Sequence, residues 1–236
     1  MEIRGGIELP ARREDIQLAT ADGLSLVGEL AEPLDGRSLA TLVTLHPLPI
    51  GGGFMDSHIL RKAAARLPAL ADLSVLRFNF RGVSSPRGTS EGQWGHGVEE
   101  RHDLDAAMAF VAARGLPNPW LVGWSFGTEV ALKYGLRHPV VGAILLSPPL
   151  KRTTEEELAA WAGSGKRLVA VVPEFDDYLR PEEAARRFAV VPEAEVVPVA
   201  GGKHLWVGEA QTRQVLTEIL LRVNPEALPL RTQWNG

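Results

Sequence analysis

Trp120-Leu121-Val122-Gly123-Trp124-Ser125-Phe126-Gly127-Thr128-Glu129-Val130-Ala131-Leu132 is the stretch on which the fold turns. The apolar run Trp120 to Val122 predicts a short buried strand, and Thr128 to Tyr134 continues as a helix with few breakers. Between them, Gly123-Trp124-Ser125-Phe126-Gly127 matches G-x-S-x-G. Set between a strand and a helix, that pentapeptide marks a sharp turn. The turn strains its central residue and pushes that side chain out of the sheet. Gly123 and Gly127 carry no side chain where strand and helix pass closely. Ser125 is therefore expected at the first turn of a helix, whose N-terminus favours negative charge developing nearby.

Outward from this stretch, the chain alternates strands with helices. Asp15 to Thr20 and Leu24 to Leu30 flank Ala21-Asp22-Gly23 and read as a β-hairpin. Strands are expected at Leu39 to Leu45, Val75 to Phe80, Val140 to Leu146, Arg167 to Val172 and Glu195 to Val199. Helices are expected at Ser57 to Leu70, Val98 to Ala113, Thr154 to Trp161, Pro181 to Phe188 and Leu205 to Val223. Arg81 to Gly97 is a long Gly/Ser/Pro-rich loop, and the tail through Gly236 looks loosely packed. Continuous apolar strands separated by helices predict an α/β fold. Its sheet should be mostly parallel and eight-stranded, with an N-terminal antiparallel hairpin and helices on both faces.

Composition sets further bounds. A chain of 236 residues suits one α/β domain, here 1–236, with a sizeable core. A hydrophobic share of 45% and a charged share of 23% are ordinary for a soluble globular protein. The formal net charge of -4 gives no reason to expect nucleic acid or an anionic membrane as partner. With no cysteine, disulfides, thiolate chemistry and Cys-based metal sites are excluded. Met1 to Arg13 lacks the apolar core of a signal peptide, and no run is long enough to span a bilayer, so a cytoplasmic location is expected.

The chain resembles the α/β-hydrolases over nearly its whole length. Within that superfamily, His46-Pro47-Leu48-Pro49 with Gly51-Gly52-Gly53, then Arg77-Phe78-Asn79-Phe80-Arg81-Gly82, resemble small cap-less bacterial serine hydrolases related to dienelactone hydrolases. Two departures are visible: Ser84 and Pro173 stand where relatives often have glycine. The family's chain order of nucleophile, acid and histidine implies Ser125, Asp176 and His204, each just past a predicted strand. Relatives place the acid three residues after the glycine that Pro173 replaces, which selects Asp176, with Asp177 and then Glu174 as alternatives.

The chemistry asks for the same residue types independently of the family. A serine hydroxyl is a weak nucleophile at neutral pH and needs an adjacent base. Histidine suits that role, and a carboxylate behind the imidazole fixes its tautomer. His46 abuts the oxyanion loop and reads as structural. His58, His96, His102 and His138 read as surface residues, and no pair of them has metal-ligand spacing with a third ligand, so no metal and no cofactor is expected.

An oxyanion hole needs two backbone donors. One is the amide of Phe126. Pro47 and Pro49 lack an N–H, which leaves Leu48 as the donor between them. Phe54, Met55, Trp94, Trp161, Tyr178 and Trp206 are candidates for a substrate pocket, since their loops fall near the carboxyl ends of strands. Between Ser147 and Arg167 there is room for only one short helix, so no large cap is expected. The expected activity is hydrolysis of a small-molecule carboxylic ester with a short acyl chain. Thioesters, peptides and lactones are alternative substrates for the same triad, and a non-catalytic ligand-binding protein of this fold is the alternative of another class.

Overall fold

The computed structural model describes residues 1–235. Its main sheet has eight strands in the order β1-β2-β4-β3-β7-β8-β9-β10. β1 (Arg12–Ala19) and β2 (Ser25–Glu32) form the antiparallel hairpin, and β2 also runs antiparallel to β4 (Leu73–Phe78). From β4 onward the sheet is parallel, through β3 (Ala40–Leu45), β7 (Pro119–Trp124), β8 (Gly142–Leu146), β9 (Arg167–Phe175) and β10 (Glu195–Lys203). The long loop after β4 carries a two-rung antiparallel ribbon, β5 (Ser84–Ser85) with β6 (Gly88–Thr89). The hairpin turns at Gly23, whose φ of 88° lies in the region glycine enters without strain.

The alternation along the central strands sends residues to two cores. On one face, Val43, Leu45, Leu121 and Leu145 meet α2 (Glu100–Ala113), α3 (Phe126–Tyr134) and α5 (Pro181–Phe188) through Leu104, Val130 and Phe188. On the other, Leu42, Trp120, Val122 and Ile144 meet α1 (His58–Ala71) and α6 (Glu209–Val223) through Ile59, Leu60, Val215 and Ile219. Every residue of β3, β4 and β8 is buried, as a sheet covered on both faces requires. The connection from β8 to β9 contains one helix, the five-residue α4 (Glu155–Ala159). No helix among the described residues is long and apolar enough to cross a membrane.

Three local features differ from the sequence-based expectation. β9 and β10 run on past Val172 and Val199, and after a register irregularity Lys203 pairs with Phe175. The residues that follow this rung are Asp176 and His204. Helix α6 begins at Glu209 rather than at Leu205, because Trp206 takes a left-handed φ of 51° and its N–H bonds Lys203 O at 2.9 Å, forming a turn ahead of the helix. The tail is not loose. Ile3 N bonds Thr232 O and Trp234 N bonds Met1 O, each at 2.8 Å, and Leu230 is buried, so the two ends of the chain are tied together. Gly236 itself lies outside the described residues.

Candidate active site

Ser125 sits between β7 and α3 with φ 51° and ψ −114°, a strained conformation for a residue with a side chain. The glycines on either side make the turn possible. A Cβ on Gly127 would come within 2.0 Å of Leu45 O, and one on Gly123 within 2.6 Å of Gly127 O. Ser125 N donates to Leu146 O at 2.9 Å, which fixes the turn to the neighbouring strand β8.

From the other side of the site, the Phe175–Lys203 rung delivers the acid and the imidazole together. Asp176 and His204 are both buried. His204 Nδ1 lies 2.9 Å from Asp176 Oδ2, and His204 Nε2 lies 2.9 Å from Ser125 Oγ. The second carboxylate oxygen of Asp176 accepts the N–H groups of Tyr178 (2.8 Å) and Leu179 (3.1 Å). Burial pushes the Asp176 carboxyl up, but the hydrogen bonds from His204 and from these amides outweigh it and hold Asp176 below its ordinary range. Asp177 is exposed, as is Glu174, whose carboxylate accepts Gly201 N. The His204 carbonyl accepts both Trp124 Nε1 and Ser147 Oγ at 3.1 Å. His58, read from sequence as a surface residue, is half-buried instead, because it braces this loop with Nε2 2.7 Å from Leu205 O.

The loop after β3 is held just as firmly. His46 is fully buried against Phe80, with Nδ1 2.7 Å from Pro47 O and Nε2 accepting Phe80 N at 3.0 Å. The carbonyl and N–H of a trans peptide point in opposite directions. With the Pro47 carbonyl engaged by His46, the Leu48 N–H is directed away from the histidine. Gly51 N and Gly53 N both return to Leu48 O at 3.0 Å, and a Cβ on Gly53 would meet Pro47 O at 2.2 Å. That contact requires glycine at 53, and a φ of 83° favours it at Gly52. Among the described residues, neither Leu48 N–H nor Phe126 N–H has an acceptor within the protein. Leu48, Ser125, Phe126, Pro149, Lys151, Arg152 and Tyr178 line one cavity of about 170 Å³.

No protein-family model matches the chain. An uncharacterized protein of Rickettsia prowazekii is 34% identical over 114 residues, which is 46% of this chain and 44% of that protein. Thus the match spans less than half the length of that curated relative. The solved structures extend much further. An α/β serine hydrolase homologue from Coxiella burnetii superposes with a TM-score of 0.74 and 26% identity, over 89% of this chain and 96% of its own. A serine hydrolase without a lid from Xanthomonas campestris gives a TM-score of 0.72 and 25% identity, over 95% of this chain and 99% of its own.

The chain has the α/β-hydrolase fold.

Within this fold the pocket candidates divide. Tyr178 is half-exposed, lines the cavity beside Ser125 and meets the His204 ring edge-on at 4.6 Å. Trp94 packs on His96 at 4.1 Å and stands edge-on to Phe126 at 6.2 Å, so it lies behind Phe126 and does not itself line the cavity. Phe54 is half-buried in the loop after β3 and packs on the core. Met55, Trp161 and Trp206 are core residues and do not reach the cavity. Met55 is drawn inward by its N–H bond to Asn79 Oδ1 (2.9 Å), and Trp161 by Nε1 donating to Leu132 O (3.0 Å). The left-handed turn at Trp206 buries its ring among the apolar side chains under α6. Conversely, Pro149, Lys151 and Arg152 line the cavity and were not read as site residues. Their position just past β8, the strand beside the one that leads into Ser125, was the available signal.

Proposed function

We propose that this α/β-hydrolase is a serine hydrolase that cleaves carboxylic esters with short acyl chains. The observation that carries this reading is the continuous line from Asp176 through His204 to Ser125, with both heavy-atom gaps at 2.9 Å. Asp176 accepts the Nδ1 proton and thereby leaves Nε2 bare toward the Ser125 hydroxyl. As Ser125 Oγ attacks the ester carbonyl, His204 Nε2 takes its proton, and the carbonyl π electrons move onto oxygen. That oxyanion lies against the N–H groups of Leu48 and Phe126, at the N-terminus of α3. On collapse, the C–O bond to the leaving group breaks, and His204 returns the proton to the departing alkoxide. A water then attacks the acyl-enzyme by the same proton route, releasing the acid and regenerating Ser125.

The small cavity supports the short-chain part of the reading. At about 170 Å³ it is well below the roughly 300–1,000 Å³ of ordinary small-molecule sites. A strained serine, a buried acid and two unengaged amides together are features that a binding module has no use for, which weighs against a non-catalytic role. Labelling with a fluorophosphonate tests the proposal. Covalent modification at Ser125, absent in Ser125→Ala and accompanied by turnover of p-nitrophenyl acetate or butyrate, is expected. A Ser125→Ala variant that is still labelled would overturn the assignment.

A further inference from the structure

The charges around the cavity are one-sided. The two ionisable side chains lining it besides Tyr178 are Lys151 and Arg152. Lys151 Nζ lies 4.0 Å from the centre of the Tyr178 ring, and the Arg152 guanidinium lies 5.7 Å from the Trp94 ring and 5.6 Å from the Phe126 ring. Aromatic faces hold cations without neutralising them. Three carboxylates close to this segment are committed elsewhere. Asp176 binds His204, Glu157 binds Lys133, and Glu129 binds backbone. Among the described residues, neither Lys151 nor Arg152 forms an ion pair.

Glu129 shows that this arrangement is built into the fold. It lies one turn past Ser125 on α3 and is fully buried. Its carboxylate accepts Lys151 N (2.7 Å), Thr153 N (2.8 Å) and Thr153 Oγ1 (2.5 Å). Lys133, from the same helix, donates to Arg152 O at 3.3 Å. The segment 151–153 is thus clamped to the nucleophile helix through its backbone, and its two cationic side chains are left for the cavity. Burying a carboxylate is costly unless several donors meet it, so this clamp is a strong positional constraint.

We propose that Lys151 and Arg152 form an anion subsite, and that the preferred substrate is an ester bearing a carboxylate a few bonds from the scissile carbonyl. This inference rests on the serine-hydrolase reading above and narrows its substrate class. A guanidinium and an ammonium at the rim of a small cavity would bind the carboxylate by charge-assisted hydrogen bonds and draw anionic substrates in from solution. Neutral esters of the same length would meet two cations with nothing to pair.

The test compares mono-(p-nitrophenyl) adipate with p-nitrophenyl hexanoate, two esters with the same six-carbon acyl chain. A second pair, 4-acetoxybenzoate and its methyl ester, puts the carboxylate on the alcohol side. In one pair or the other, kcat/KM should favour the anion by about tenfold or more, and the preference should shrink as ionic strength rises. In Lys151→Met/Arg152→Gln the ratio should fall toward one. Because each ratio is measured on a single preparation, a partly folded variant does not disturb it. Equal rates within both pairs, or a preference that survives the double substitution, would overturn the anion subsite. Titrating Ser125→Ala with monomethyl adipate against methyl hexanoate reads the subsite without turnover. Carboxylate-selective binding with no hydrolysis of any ester would leave the subsite standing and remove the esterase reading.

Discussion

The assignment of Asp176 can be tested by a substitution whose outcome follows from the hydrogen bonds around it. In Asp176→Asn the side chain keeps its shape and exchanges one oxygen for an amino group. Two backbone donors, Tyr178 N and Leu179 N, point at Oδ1 from 2.8 and 3.1 Å. The amide must keep its oxygen there, since turning the amino group toward them would leave buried donors facing a donor, at ~1–3 kcal/mol each. The amino group therefore faces His204 Nδ1, which must become an acceptor. The imidazole proton then moves to Nε2, directly opposite Ser125 Oγ at 2.9 Å, and the ring can no longer take the serine proton. The expected loss in kcat is on the order of 10⁴, or about 5.5 kcal/mol of transition-state stabilisation.

Asp177 supplies the control, because its carboxylate is exposed and lies outside this network. Asp177→Asn should stay within about threefold of the parent, as surface charge changes usually do. The assay is steady-state hydrolysis of p-nitrophenyl butyrate at neutral pH, with near-ultraviolet circular dichroism to establish that both variants are folded. If Asp177→Asn costs as much as Asp176→Asn, or if Asp176→Asn retains a tenth of the activity, the tautomer argument is wrong. A linked effect appears in stability. Asp176 has its carboxyl held below the ordinary range, so its contribution is present above the unfolded carboxyl pKa and is lost as pH falls through the folded one. Acid unfolding of Asp176→Asn should therefore be less steep than that of the parent.

Gly127→Ala should cost more than ~3 kcal/mol in urea unfolding, because the new methyl would sit 2.0 Å from Leu45 O, whereas Gly51→Ala, with its nearest contact at 3.8 Å, should change stability by less than about 0.5 kcal/mol. Burial lowers the His46 pKa from 6.5 to about 4. The unfolded chain thus binds a proton in that window that the folded chain refuses. Stability from a neutral His46 is full above pH 6.5 and is lost toward pH 4, by up to about 3 kcal/mol. The difference in unfolding free energy between the parent and His46→Gln should shrink by that amount between those limits; a constant difference would mean that His46 does not titrate as described. Across p-nitrophenyl esters from acetate to palmitate, kcat/KM should peak at about two to six acyl carbons, where burial per methylene saturates. A peak at about ten carbons or beyond would show an enclosed tunnel.

How much of this could be read in the sequence depended on how local the cause was. The strand before Ser125, the two close-approach glycines and the helix after it are neighbours in the chain, and G-x-S-x-G was enough to place them. The central strands were legible for a similar reason. Ala40 to Leu45 and Gly142 to Leu146 are mostly apolar and wholly buried because both faces are covered. The ends of β9 and β10 were not legible. Pro173-Glu174-Phe175 and Gly201-Gly202-Lys203 look like loops, and only the rung between Phe175 and Lys203 makes them strand. That rung brings Asp176 and His204 together, so the spacing of the two residues along the chain carried no sign of their contact.

Trp161 and Trp206 were not legible, for a different reason. A tryptophan on a loop near a strand end can close a pocket or fill the core, and residue type does not distinguish the two. Trp161 and Trp206 took the core, where a large ring removes the most apolar surface from water, at about 25 cal/mol per Å². Glu129 shows the limit most clearly. Within the first turn of a helix an acidic residue has the plain reading of a solvated charge favoured by the helix dipole. What decides its role is the backbone of residues 151–153, more than twenty positions later, whose N–H groups converge on that carboxylate from the adjoining strand end. The G-x-S-x-G motif and the clamp beside it meet on one helix. The motif is written in five consecutive residues, and the clamp exists only once β8 has folded against β7.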